Sequence, residues 1–167
     1  METYTTDPKP CTNFTPTMTG GHGPEEIRRF YKDYFLPNAP PSLHLRLISR
    51  TIGVDRIVDE LYVQFKHTCH MPWVLPCVPP TNKKVEIIVI SIAGMRGGKV
   101  WNERVYWDQA SVLFQVGLLD PDVVPEEFKD KGEGKDGLEM LPIAGSEAAR
   151  KVMDFESEES NDMIDDW

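Results

Sequence analysis

Glu103, Tyr106 and Asp108 lie close together between Trp101 and Trp107. Carboxylates and a phenol set among aromatic rings near a strand end are the parts of a small acid–base pocket. A carboxylate in apolar surroundings has its pKa raised and moves a proton near neutral pH. Asp108 is placed for that role. It also precedes an apolar-periodic segment, where an aspartate serves equally well as a helix N-cap. Tyr106 shares the strand parity of Asp108, so its hydroxyl could donate to a developing oxyanion or simply sit satisfied in the core. Glu103 has the opposite parity. A regular strand turns it away from Asp108, a bulge would bring it back, and Arg104 is the alternative surface partner.

Other chemistry-bearing residues lie on a second strand. Asp59 and Glu60 are adjacent, so one faces each way, and the inward one is a further carboxylate candidate. His67, toward the end of the same segment, is a candidate base or orienting group, with a packed, satisfied histidine as the alternative. Trp73, Tyr62, Trp101 and Phe30 are the candidate substrate contacts. His67, Cys69, His70 and Cys77 are zinc-ligand types, but they lack the paired C-x₂₋₄-C and H-x₃₋₅-H spacings of a structural site, so no metal is expected. Gly97-Gly98-Lys99 lacks the phosphate-loop frame and reads as a hairpin turn.

These residues need elements to position them. Pro24 opens a helix whose apolar residues Ile27, Phe30, Tyr31, Tyr34 and Phe35 fall on one side, and Pro37 closes it. That stripe is the ordinary mark of core packing. Gly20-Gly21-His22-Gly23 reads as a flexible lead-in, and 12–17 as a possible short strand. Period-2 alternation over 43–51 and 56–68 predicts a hairpin. Within its second strand both faces mix apolar and polar residues, as in a curved sheet covered on both sides. Residues 69–84 form a long Pro-rich loop, too apolar at Met71, Trp73, Val74 and Leu75 to be free. A second hairpin spans 85–93 and 100–109, and a short amphipathic helix follows over 110–119. A marginal helix is expected within 141–153. Together these predict an α+β fold with a mostly antiparallel sheet.

The 167 residues suffice for one domain with a real core. Its boundaries are read as 1–125, then a linker and helix over 126–153, then an acidic disordered tail over 154–167. The net charge of -9 belongs mostly to that tail, which carries 7 Asp/Glu and no Lys/Arg. The body has 18 basic against 20 acidic residues, with no basic stripe, so nucleic-acid binding is not expected. No apolar run reaches the roughly 20 residues of a membrane helix, and no signal-peptide pattern opens the chain. Three cysteines fit a reducing, cytoplasmic setting rather than a disulfide framework. The sequon at Asn13 then carries no meaning.

Four stretches carry a resemblance: PTMTGG (16–21), RRFYKDYFLP (28–37), WVLPCVPPTNKKVEI (73–87) and NERVYWDQASVLFQVGLLD (102–120). The chain resembles the SnoaL-like family of the nuclear transport factor 2-like superfamily. The resemblance covers about 15–119 together with 141–153. It implies a curved, mostly antiparallel sheet wrapped on helices to form a cone with an internal pocket. It also implies cofactor-independent acid–base work, such as cyclisation, isomerisation, dehydration or ring rearrangement. The substrate implied is a small polyketide- or terpenoid-like secondary metabolite. In such cyclases the acid/base aspartate ends the last strand, and Asp108 is the matching position. A homodimer through the outer sheet face is implied too. The family's cones begin with a long N-terminal helix. The residues before Pro16 do not read as one, so a wide end left open, or closed by a partner chain, is expected. That departure keeps a second function in view, a non-catalytic ligand-binding or dimerisation module.

Overall fold

A computed structural model of the chain describes residues 3–4, 9–129 and 137–164. Parts of the expected linker and the end of the acidic tail lie outside the described residues. Among the described residues, six strands form one sheet in the order β2-β1-β6-β5-β4-β3.

The two expected hairpins are its centre. The first joins β3 (His44–Ile52) to β4 (Arg56–Lys66), and the second joins β5 (Lys84–Arg96) to β6 (Lys99–Tyr106). All three pairings from β3 to β6 are antiparallel, with bulges at Leu47/Ser49 and Gly94/Met95. The β-branched run of β5 suits its central place, since such side chains pack well on a pleated surface.

The expected strand over 12–17 is shorter and earlier. It is β1 (Cys11–Phe14), which lies parallel to β6 and antiparallel to β2 (Thr19–His22). The glycine-rich stretch is therefore not a lead-in but a closely packed edge strand. A Cβ on Gly21 would sit 2.6 Å from the Glu26 carbonyl carbon and 2.7 Å from the Ile27 nitrogen. Its missing side chain lets helix α1 (Pro24–Arg29) lie directly on the sheet.

The expected helix changes type partway. After α1 a π-helical turn runs over Phe30–Phe35, and a 3₁₀ turn over Leu36–Asn38 closes it. Helix α2 (Gln109–Gln115) follows β6, and after the short α3 (Glu126–Lys129) comes α4 (Ser146–Met153). The core fills the concave side of the sheet, with Phe14, Phe30, Val63, Phe65, Met71, Trp73 and Val105 buried there. The apolar loop residues Met71, Trp73, Val74 and Leu75 are all buried, as their composition requires. Helix α4 lies on the opposite, convex side. Arg150 reaches Glu86 at 3.6 Å there and pairs with Glu158 at 2.9 Å. No helix among the described residues is long and apolar enough to cross a membrane.

Candidate functional site

Strand parity decides which residues of β6 enter the cone. Cα partners across the sheet point to one side, so Thr12, Glu103, Ala93 and Ile57 share a row on the concave face. Val105 and Trp107 continue that face beyond Glu103. Glu103 is thus a carboxylate on an otherwise apolar stripe. The cavity above it measures about 220 Å³ and is walled by Phe14, Tyr31, Phe35, Trp73, Trp107 and the aliphatic faces of β4 and β5.

Three hydroxyls converge on Glu103 Oε2. Tyr31 donates at 2.6 Å, Tyr4 at 2.9 Å and Thr12 at 3.5 Å. Oε1 takes no hydrogen bond from any described residue. Tyr4 arrives from the N-terminal segment, tied down by an isolated bridge to Val100 and by a 3.0 Å contact between its hydroxyl and Thr12 Oγ1. Tyr31 arrives from the π-helical turn. A turn of this kind widens the helix locally and is often found at functional sites. Here it sets Tyr31 on the carboxylate and Phe35 on Trp73, the latter pair with ring centroids 4.9 Å apart. Burial, reinforced by the charge of Glu103, pushes the Tyr4 hydroxyl up to about 12 and Tyr31 higher still. Both therefore stay protonated and act as donors.

The far wall is equally fixed. Trp107 Nε1 donates to Gln109 Oε1 at 2.6 Å, and Gln109 Nε2 donates to the Val74 carbonyl at 2.9 Å. The Trp73 carbonyl accepts the hydroxyls of Thr17 and Thr19 at 2.9 and 3.4 Å. Trp73 Nε1 is buried with no partner among the described residues.

The other candidates lie elsewhere. Asp108 is exposed on the convex parity of β6 and caps α2, its Oδ1 accepting the Ser111 N–H at 3.2 Å. Tyr106 shares that side and is 36% exposed, too open for an oxyanion donor. Glu60 faces the convex side and accepts from Ser49 Oγ at 3.0 Å. Asp59 is the inward one, held by Arg50 through bonds of 2.6 and 2.7 Å; that guanidinium keeps its carboxyl below the usual carboxylate range. Tyr62 lines a convex groove beside Arg150, and Trp101 stacks under Arg96 at 5.2 Å. Phe30 is buried behind the cavity wall against Phe14 and Tyr31.

His67 is fully buried outside the cavity. Its Nδ1 accepts the Thr81 N–H at 3.2 Å, which leaves the proton on Nε2, where no described residue receives it. Burial, then the neighbouring His70, holds the imidazole below its ordinary value, so it is a neutral packing group. Of the residues expected from sequence, Glu103 and Trp73 line the cavity. Trp107, expected beside the pocket, lines it too, Phe14, Tyr31 and Phe35 join unanticipated, and Tyr4 and Thr12 reach the Glu103 carboxylate without lining the cavity. Among the described residues no three metal-ligating side chains converge.

Two solved structures share this architecture. The candidate SnoaL-like polyketide cyclase of Jannaschia sp. CCS1 is 19% identical, with a TM-score of 0.55 over 71% of this chain and 76% of its own. The chain shares the cone fold of that structure. AclR, a candidate hydroxylase from Streptomyces galilaeus, matches the cone at 16% identity and a TM-score of 0.51, over 71% of this chain and 81% of its own. Identities this low establish the cone and leave its chemistry to its own residues. No protein-family model and no curated protein sequence matches the chain.

Proposed function

We propose that this cone is an acid–base enzyme centred on Glu103, acting without a cofactor on a small, largely apolar substrate. The observation that supports it is the Glu103 carboxylate, bound by two tyrosine hydroxyls on the wall of an aromatic cavity. Glu103 Oε1 removes a proton from a substrate carbon and returns it elsewhere on the same molecule, which is an isomerisation or the first half of a cyclisation. Tyr31 and Tyr4 hold Oε2, so the carboxylate needs no reorientation during transfer. The cavity is smaller than the roughly 300–1,000 Å³ of drug-sized sites, so the substrate, or the part of it enclosed, is compact. A small polyketide- or terpenoid-like metabolite fits that description.

The second reading, a ligand-binding module with no chemistry, draws on Leu45 and Leu47, which leave the concave side of β3 about half exposed. A homodimer would use the part of the convex face that α4 leaves, around Ile90, Ile92 and Tyr106.

Ring opening of 5-nitrobenzisoxazole separates the two functions, because that flat probe needs only one well-placed base. The wild-type protein is expected to accelerate it, and Glu103→Gln to lose about 100-fold or more of that rate. Equal rates in the two proteins would leave only the binding reading.

A further inference from the structure

Along the concave face of β5 the side chains run Val85, Ile87, Val89, Ser91, Ala93. Ser91 is the one hydroxyl in that series, and it lines the cavity. A hydroxyl on an otherwise apolar wall is available to bond a ligand that enters the cavity. Ser91 Oγ makes no hydrogen bond to any described residue, although Asp59 and Val105 are its direct neighbours across the sheet. Its position relative to Glu103 follows from register. Glu103 pairs with Ala93 and Val105 with Ser91, so Ser91 and Glu103 are diagonal neighbours on one face, about 7 Å apart. Ser91 and Glu103 thus supply the polar groups of one cavity lining, Ser91 Oγ and Glu103 Oε1 being bonded by no described residue, on backbone positions whose spacing the register fixes.

Building on the Glu103 reading, we infer that Ser91 is a positioning residue that completes a two-point polar clamp with Glu103. The ligand is then a rigid apolar body carrying two oxygen functions on the same edge. One meets Glu103 Oε1 at the reacting end. The other meets Ser91 Oγ and sets which carbon lies under the carboxylate. The aromatic part of the lining favours a flat ring system.

Three probes with one ring system test this: naphthalene, 2-naphthol and 2,7-dihydroxynaphthalene, whose two hydroxyls leave one edge. Binding to the full chain is followed by NMR through the indole N–H signals of Trp73 and Trp107. Each added hydroxyl is expected to tighten wild-type binding about fivefold, the worth of one net hydrogen bond. Glu103→Gln should weaken the gain from the first hydroxyl. Ser91→Ala should abolish the gain from the second alone, and Ser91→Thr, which keeps the hydroxyl, should restore it. A second gain unchanged in Ser91→Ala overturns the clamp while leaving Glu103 in place. Equal binding of naphthalene and 2-naphthol overturns the Glu103 reading itself. Absence of binding by all three overturns both.

Discussion

Asp108 and Glu103 belong to one strand-to-helix segment and face opposite sides of the sheet, and this divides their work. Asp108 gives its carboxylate to the first turn of α2, where the orphan N–H of Ser111 needs an acceptor. Glu103 gives its carboxylate to a cavity lined by rings. Asp108→Ala should therefore cost about 1 kcal/mol of stability, read from urea denaturation, and leave turnover of the benzisoxazole probe at the wild-type rate. A stability-neutral Asp108→Ala that abolished turnover would return the chemistry to the strand end. The sequence did hold a signal for the correct carboxylate. In Trp101-Asn102-Glu103-Arg104-Val105-Tyr106-Trp107 the odd positions are apolar apart from Glu103, and the even ones are polar or amphipathic. A lone charge on the apolar parity marks a buried functional group. The strand-end position carried over from the resemblance marked a cap.

Elements with a local period were legible, and those that depend on distant partners were not. Alternation set both hairpins within a few residues, and the amphipathic stripes set α2 and the turn carrying Tyr31. Strand β1 has four residues, and its parallel pairing with β6 leaves no periodic trace in them. The same holds for Tyr4, which reaches Glu103 from a bridge to Val100, far along the chain. Gly20-Gly21 resembles a flexible joint by composition, yet it is required by close approach. Gly21→Ala tests the difference. Its Cβ would collide with the backbone of α1, not with a movable side-chain tip. The substitution should cost about 1–3 kcal/mol. It should also lift Tyr31 off Glu103, seen as an earlier alkaline titration of a tyrosine by absorbance at 295 nm. A flexible lead-in would tolerate the alanine with neither effect.

At the scale of the molecule, the groups that build and support the cone limit the pH range in which it is stable. Tyr4 and Tyr31 have folded pKa values raised above the ordinary 10.0, first by burial and then by the charge of Glu103. As pH rises above 10 the unfolded chain releases these protons while the folded chain keeps them. Their contribution is thus whole below pH 10 and is lost on the way to 12 and beyond. His67 works in the opposite sense. Its folded value lies below 6.5, so the unfolded chain takes up a proton that the buried imidazole refuses, and stability falls as pH drops below 6.5. From these three residues the expected urea midpoint is level between about pH 6.5 and 10 and declines on either side. Tyr31→Phe should flatten part of the alkaline decline by removing one of the two late-titrating hydroxyls. Glu103→Gln should shift the decline by removing the charge that Tyr4 and Tyr31 share. An alkaline limb identical in the wild type and both variants would mean that the tyrosine–glutamate cluster does not hold Tyr4 and the π-helical turn onto the sheet. The cavity would then lack the two donors that fix its carboxylate.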